Sequence, residues 1–406
     1  MITLENKTLK LTIDEKGGQW TSLLDKMSQE EHLFQGNPDS WNRQAPLLFP
    51  IIGALKDDKY IYHGELYELG QHGFLRDLDL TIVSQSKKEV VLEATHTDET
   101  LKVYPFEFRL LITYKLGKNK VKTKVEITNC GQQTMYYNFG GHPGFIIDTS
   151  QENSLKVKGK KEIGQFKLDG KFVNDYEVID QRSFNLSDID LEATLVLDGV
   201  KEAIVETPTH DISLKMKPTR YMGFWAPRLA HSQEMEQVVC LEPWWGISDC
   251  VDHNQHLKDK KGILRLEPNQ SQTLEFTIKI TSKRQVPQAI GPYSISRETK
   301  DLIYLSGQLP LNPLTNQIET FDIASQTRQV LINVKEIINR HGYQLSDIIK
   351  TTVFLKNMDD FNLMNEVYGE FFQEPYPARS AIEVARLPKN ALVEIEVIVE
   401  KEWRKK

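Results

Sequence analysis

LEFTIKITSKRQVPQAIGPYS, Leu274 to Ser294, contains the point at which the chain changes character. Leu274, Phe276, Ile278 and Ile280 alternate with polar residues, the two-residue period of a strand with one buried face. Thr281 to Gln288 is short and polar, and Pro287 restricts the chain there. A junction this short leaves little tether, so two modules held close together are expected. Upstream, Val121 to Thr128 (VKTKVEIT) and Ile212 to Met216 (ISLKM) repeat the alternation between turn signals, with almost no long 3.6-residue period. Residues 1–280 are therefore predicted to be a large all-β domain.

Downstream the pattern becomes strand, helix, strand, helix, strand, strand. Asp322 is a plausible N-cap, and Ala324, Thr327, Leu331, Val334 and Ile338 fall on one helical stripe that ends at Gly342. A second helix is predicted to begin near Asp359, with Phe361, Met364, Tyr368 and Phe371 facing inward. Ile349–Leu355, Arg379–Ala385 and Ala391–Val399 read as strands, so residues 281–406 form an α+β domain.

A chain of 406 residues exceeds the roughly 250–300 that one core usually supports, which agrees with two domains. With 39% apolar and 26% charged residues, composition excludes a disordered chain. No apolar run approaches the roughly 18–20 residues of a membrane span, and Met1 to Gly18 lacks the apolar stretch of a secretory signal. A cytoplasmic protein without a membrane partner is expected. The net charge of −7 argues against a nucleic-acid partner, which needs a dense positive surface. Cys130, Cys240 and Cys250 have no CxxC spacing, and no glycine-rich phosphate loop is present. Neither metal nor cofactor is expected, and Asp252 to His256 (DHNQH) reads as a solvated loop.

Three clusters in the first domain combine ionisable groups with glycine and aromatics: QHGFLRD (Gln71–Asp77), NFGGHPGF (Asn138–Phe145) and CLEPWWGISD (Cys240–Asp249). His142 is either a loop-presented proton donor or a structural histidine at a tight turn. Glu242 stands among Leu241, Pro243, Trp244 and Trp245. Such company raises a carboxyl pKa if the group is buried, and paired tryptophans offer flat faces to a sugar ring.

Together with APLLFPIIGAL (Ala45–Leu55), these segments, in this order and spacing, resemble the aldose 1-epimerase superfamily, especially its LacX-like branch, over nearly all of residues 1–280. The resemblance implies a β-sandwich of the galactose mutarotase type with a carbohydrate site on one sheet. It makes His142 the acid that protonates the ring oxygen and Glu242 the base at the anomeric hydroxyl. His72, Arg76 and Trp244 become substrate contacts, and Arg43 falls where sugar-phosphate relatives place an arginine. In LEATLVLDG (Leu191–Gly199), Ala193 stands where relatives carry an aspartate, and a maintained strand register would turn Glu192 to the opposite face. An anomer-interconverting enzyme and a non-catalytic carbohydrate binder both remain open.

In the second domain, alternation puts Arg379, Ala381 and Glu383 on one strand face, and Glu394 and Glu396 opposite the apolar Val393, Ile395, Val397 and Val399. Charges on central strands are either solvated cross-strand pairs or an anion site, in which Arg379 grips a carboxylate while Glu394 positions water. QAIGPYS (Gln288–Ser294), LSGQLP (Leu305–Pro310), QTRQVLINV (Gln326–Val334), KTTVFL (Lys350–Leu355), PARSAIEVARLP (Pro377–Pro388) and VEIEV (Val393–Val397) resemble the RidA family closely. The resemblance implies a chorismate mutase-like fold, a homotrimer with clefts between subunits, and hydrolysis of 2-imino acids such as 2-iminobutanoate or 2-iminopropanoate. Arg379 and Glu394 would be catalytic, with Tyr293, Ser306, Gly307 and Asn365 lining the cleft. Small-molecule substrates are thus the expected partners of both domains, and a metabolite-binding regulatory protein is the other reading of the whole.

Overall fold

A computed structural model describes residues 1–26, 30–283 and 286–401, so Arg284 and Gln285 of the junction lie outside the described residues. The chain divides into two compact units, Met1–Lys283 and Arg284–Lys406. No helix among the described residues is long and apolar enough to cross a membrane.

The first unit is built on a fourteen-stranded sheet. Its spine runs Ser154–Asp169, Leu195–Glu206, His210–Trp225, Ser271–Ser282, Lys120–Asn129, Phe108–Leu116 and Glu89–Thr95, each antiparallel to the next. The sequence alternation sets the burial. In Lys120–Asn129, Val121, Thr123, Val125 and Ile127 point inward while their neighbours are half-buried. Strand Val238–Trp245 is buried at every residue, which explains its nearly unbroken apolar run VVCLEPWW. It pairs with the end of His210–Trp225 on one side and with Phe139–Gly141 and Gly144–Ile146 on the other. His142 sits in the gap between those two short strands. Leu191 to Thr194 is not strand but a turn, with Thr194 at φ 56°. The register expected for Glu192 is therefore corrected, because pairing in this segment starts only at Leu195.

The second unit is a five-stranded sheet in the order Ser296–Glu298, Leu302–Gln308, Val393–Glu400, Ile348–Leu355, Ala378–Glu383. Only the last pair is parallel. Helices Ile323–Arg340 and Phe361–Phe371 cover one face. The Asp322 carboxylate accepts from the Ser325 N–H at 2.8 Å, as its N-cap position requires. The buried stripe of that helix runs through Ile323 and Thr327 rather than Ala324, one position from the expected line. Val353, Leu355, Val393, Ile395, Val397 and Val399 are buried beneath the helices. The other face is uncovered and carries Tyr304 and Ile382, both more than 40% exposed, beside Glu396.

Candidate functional site

In the first unit a cavity of about 390 Å³ gathers residues from seven separated stretches of chain. His72, Arg76, His142, Glu242 and Trp244 all line it, joined by Glu192 and by Trp41, Lys171, Trp225 and Ser248, which sequence reasoning did not single out. Nε2 of His142 lies 3.2 Å from Oε2 of Glu242, and both side chains are almost wholly buried. The fold fixes them from the backbone. The His142 N–H donates to the Pro46 carbonyl at 3.0 Å, and Glu242 is held at mid-strand opposite Gly223. Trp244 Nε1 donates to Glu242 Oε2 at 3.1 Å, while Glu242 Oε1 and His142 Nδ1 are buried without a partner. The Trp41 and Trp225 rings flank the imidazole, with centroids 4.9 and 5.5 Å away.

His72 adopts a left-handed conformation, and its Nδ1 accepts from the Gly53 N–H at 3.1 Å. Burial, then His142 and the nearby Arg76, Lys171 and Arg43, hold its pKa well below the ordinary value. A neutral ring whose Nδ1 accepts must carry its proton on Nε2, so His72 is a donor. Arg76 is anchored by its bond to the Gln71 carbonyl at 2.9 Å. Arg43 is not among the residues lining the cavity; its guanidinium is tied to Asp77 at 2.9 Å. Ala193 is absent from the cavity wall, whereas Glu192 reaches it, bonded to Arg228 at 2.9 Å.

The electrostatics of the pair follow from burial. Desolvation pushes Glu242 well above the usual carboxylate range, opposed in part by the Trp244 indole. Desolvation, with a further push from Arg76, brings His142 down to about 3. Burial thus opposes the charged forms of both groups, which favours a single proton held between them over an ion pair. His142, Cys240 and Glu242 also bring one potential ligand atom each within 4.8 Å of one another. Binding an ion there would consume the lone pairs that proton transfer needs, so the two uses exclude each other. His253 faces Asp249 at 3.6 Å and forms no group of three ligands with His256 among the described residues.

In the second unit the registers decide the geometry. Thr351 pairs with both Arg379 and Val397, so Arg379 points to the helix-covered side. Phe354 pairs with Ile382 and Glu394, so Glu394 points to the open side. Arg379 and Glu394 thus occupy opposite faces, two strands apart, and do not converge within one chain. The guanidinium stacks on Tyr368 at 4.6 Å and near Phe361 at 5.6 Å, on the stripe of the helix that also holds Asn365. Glu394 instead packs over Gly307, where an added Cβ would stand 1.8 Å from its Oε1. Burial, then Glu396, raises its pKa. Ser306 Oγ donates to the Ser294 carbonyl at 2.7 Å, and Tyr293 is partly exposed nearby in sequence.

The aldose 1-epimerase family model matches residues 1–277, and the endoribonuclease L-PSP model matches residues 283–401. A RutC family protein of Pyrococcus horikoshii is 53% identical over 116 residues, covering 29% of this chain and 92% of the relative. A 2-iminobutanoate/2-iminopropanoate deaminase of Escherichia coli K12 is 46% identical over 123 residues, 30% of this chain and 95% of the relative. The chain is a fusion of an aldose 1-epimerase family unit and a RidA family unit. Among solved structures, the galactose mutarotase related enzyme of Lactobacillus acidophilus is 27% identical with a TM-score of 0.65, covering 70% of this chain and 97% of its own. A galactose mutarotase-like protein of Lactobacillus casei gives the same identity and TM-score over 69% of this chain and 99% of its own. The all-β mutarotase-like fold expected for the epimerase unit and the RidA-like fold expected for the second are both observed. Trp41 and Trp225 of the epimerase unit escaped sequence reading because each lies outside the three quoted clusters. The FWAP segment around Trp225, at the end of its strand, was the available signal.

Proposed function

We propose that the epimerase unit interconverts the anomers of an aldose or aldose phosphate, and that the RidA unit hydrolyses small 2-imino acids. The observation that carries the first reading is the 3.2 Å His142–Glu242 contact in a tryptophan-walled cavity. The cavity volume of about 390 Å³ falls within the roughly 300–1,000 Å³ of small-molecule sites. An anomeric hydroxyl donating to Glu242 favours the ionised carboxylate, which moves the shared proton to His142. His142 then protonates the ring oxygen while Glu242 takes the hydroxyl proton. The C1–O bond breaks, the open aldehyde rotates, and closure on its other face returns both protons. One proton is given and one taken, so the pair ends as it began and no redox cofactor is needed. Arg76 and Lys171 give the wall a positive edge that suits a phosphorylated sugar. Polarimetry with glucose, galactose and their 6-phosphates tests the reading; no acceleration with any of them rejects it. The absence of a carboxylate at Ala193 favours, as a second reading, a carbohydrate binder with little turnover, which would bind these sugars without accelerating them.

For the RidA unit, the opposed placement of Arg379 and Glu394 supports a site completed by a neighbouring copy, and the uncovered face with Tyr304 and Ile382 is a surface such a copy would cover. Arg379 would bind the substrate carboxylate bidentately, while Glu394 orients a water that adds to the C=N carbon; ammonia then leaves, giving the 2-oxo acid. A trimer in sedimentation at micromolar concentration is expected, and a monomer would count against a shared site. Gly307→Ala should lower 2-iminobutanoate hydrolysis by about 10–100-fold, because the new methyl evicts the Glu394 carboxylate. The readout is ammonia release, with unchanged far-ultraviolet circular dichroism as the check on folding.

A further inference from the structure

Outside the cavity, the first unit holds a second group of ionisable side chains that neither proposed activity uses. His32 and His210 are buried, with ring centroids 4.8 Å apart in an edge-to-face arrangement. Among the described residues neither ring nitrogen of His32 has a hydrogen-bond partner, and Nε2 of His210 has none either. Three orphaned polar atoms in one spot are costly, and a cation ligated between the rings would satisfy those it binds directly. Glu30 reaches the same place from the surface, its Oε1 3.6 Å from Nδ1 of His210. One ligand atom from each of Glu30, His32 and His210 lies within 4.8 Å of the others.

We propose that Glu30, His32 and His210 form a binding site for a divalent transition ion, zinc above all, with water completing a tetrahedral shell. Two imidazoles and one carboxylate are a zinc-type donor set, whereas calcium and magnesium prefer oxygen alone. Thr209 Oγ1 lies 2.8 Å from Nδ1 of His210. Nδ1 is therefore the nitrogen turned toward both Thr209 and Glu30, and an ion bound there would replace the hydroxyl contact. The nearby Lys283 ammonium is neutralised by Asp211 at 2.8 Å. Ligand atoms around zinc stand about 3.3 Å apart, given bonds of about 2.0–2.1 Å, so the trio must draw together. Glu30 approaches from the outer edge of the site, so its carboxylate closes on the two rings from one side. His32 is pinned through Leu23 and Ile146, and His210 opens the strand that pairs with Ser282. An ion here would staple the segment at residues 30–32 to the strand that begins at residue 210.

The test is zinc titration of the full chain, freed of metal, against a chromogenic chelator. One zinc per chain, bound at about micromolar affinity or tighter, is expected for the parent and for Glu242→Gln. Glu30→Ala, an exposed change that leaves the core intact, should weaken binding by about 10–100-fold, and His210→Gln by at least as much. Cobalt(II) should give the visible absorption of a tetrahedral site in the parent and lose it in Glu30→Ala. The proposal is overturned if the parent binds no zinc at 10-micromolar concentration (about tenfold above the expected dissociation constant). It is equally overturned if binding survives both Glu30→Ala and His210→Gln, or disappears in Glu242→Gln, which would assign the metal to the cavity.

Discussion

Co-expressing the Arg379→Ala and Glu394→Gln chains should return about one quarter of the parental imine-hydrolysing activity, although each variant alone is expected to lose about a hundredfold or more. The loss in each single variant follows from charge: a bidentate guanidinium–carboxylate contact is worth roughly 1.5–3 kcal/mol per hydrogen bond. The recovery follows from placement. Arg379 pairs through Thr351 on the helix-covered face and Glu394 through Phe354 on the open face, so the proposed site would draw them from different chains. With random 1:1 assembly, half of the sites receive an intact Arg379, and half of those an intact Glu394, which gives about a quarter. Ammonia release from enzymatically generated 2-iminobutanoate measures it. If the mixture stays at the level of the single variants while sedimentation shows mixed assemblies, the shared site is wrong.

That arrangement also shows where the sequence stopped being informative. Alternation told correctly that Glu394 opposes Val393 and Ile395, because the two-residue period is a local property of one strand. It carried no information on which face of the next strand Arg379 would share, since that depends on a register through the intervening strand Ile348–Leu355 and on one parallel pairing. The same limit applies in the epimerase unit. His142 and Glu242 were legible because glycine, proline and tryptophan surround them at short range, whereas Trp41 and Trp225 join the site only through the folded sheet. Nor could local pattern show that Asp77, thirty-four residues on, pairs with the Arg43 guanidinium. Glu192 was read in a strand register, whereas pairing begins only at Leu195, after the positive φ of Thr194.

Glu242→Gln should reduce anomerisation by about 10²–10⁴-fold in kcat, the usual range for removing a positioned acid–base group. The fold should tolerate it, because the amide oxygen can still accept from Trp244 Nε1 and the burial that opposes a charged carboxylate does not penalise an amide. The pH dependence separates this chemistry from simple structural damage. A carboxyl whose folded pKa is raised contributes stability that is complete below its unfolded pKa of about 4.3 and is lost as pH rises through the folded value. The parent should therefore lose stability relative to Glu242→Gln as pH rises above about 4.3, by up to about 1.4 kcal/mol per pH unit, until the folded carboxyl ionises. His142 acts in the other direction, since a pKa lowered to about 3 means that the pair gains its second proton only in strong acid. Parental turnover should accordingly stay within about twofold as pH crosses 6.5, where a free imidazole titrates. An acid limb centred near 6.5 in polarimetric kcat would show His142 titrating as an ordinary solvated histidine, and the shared-proton pair would have to be abandoned.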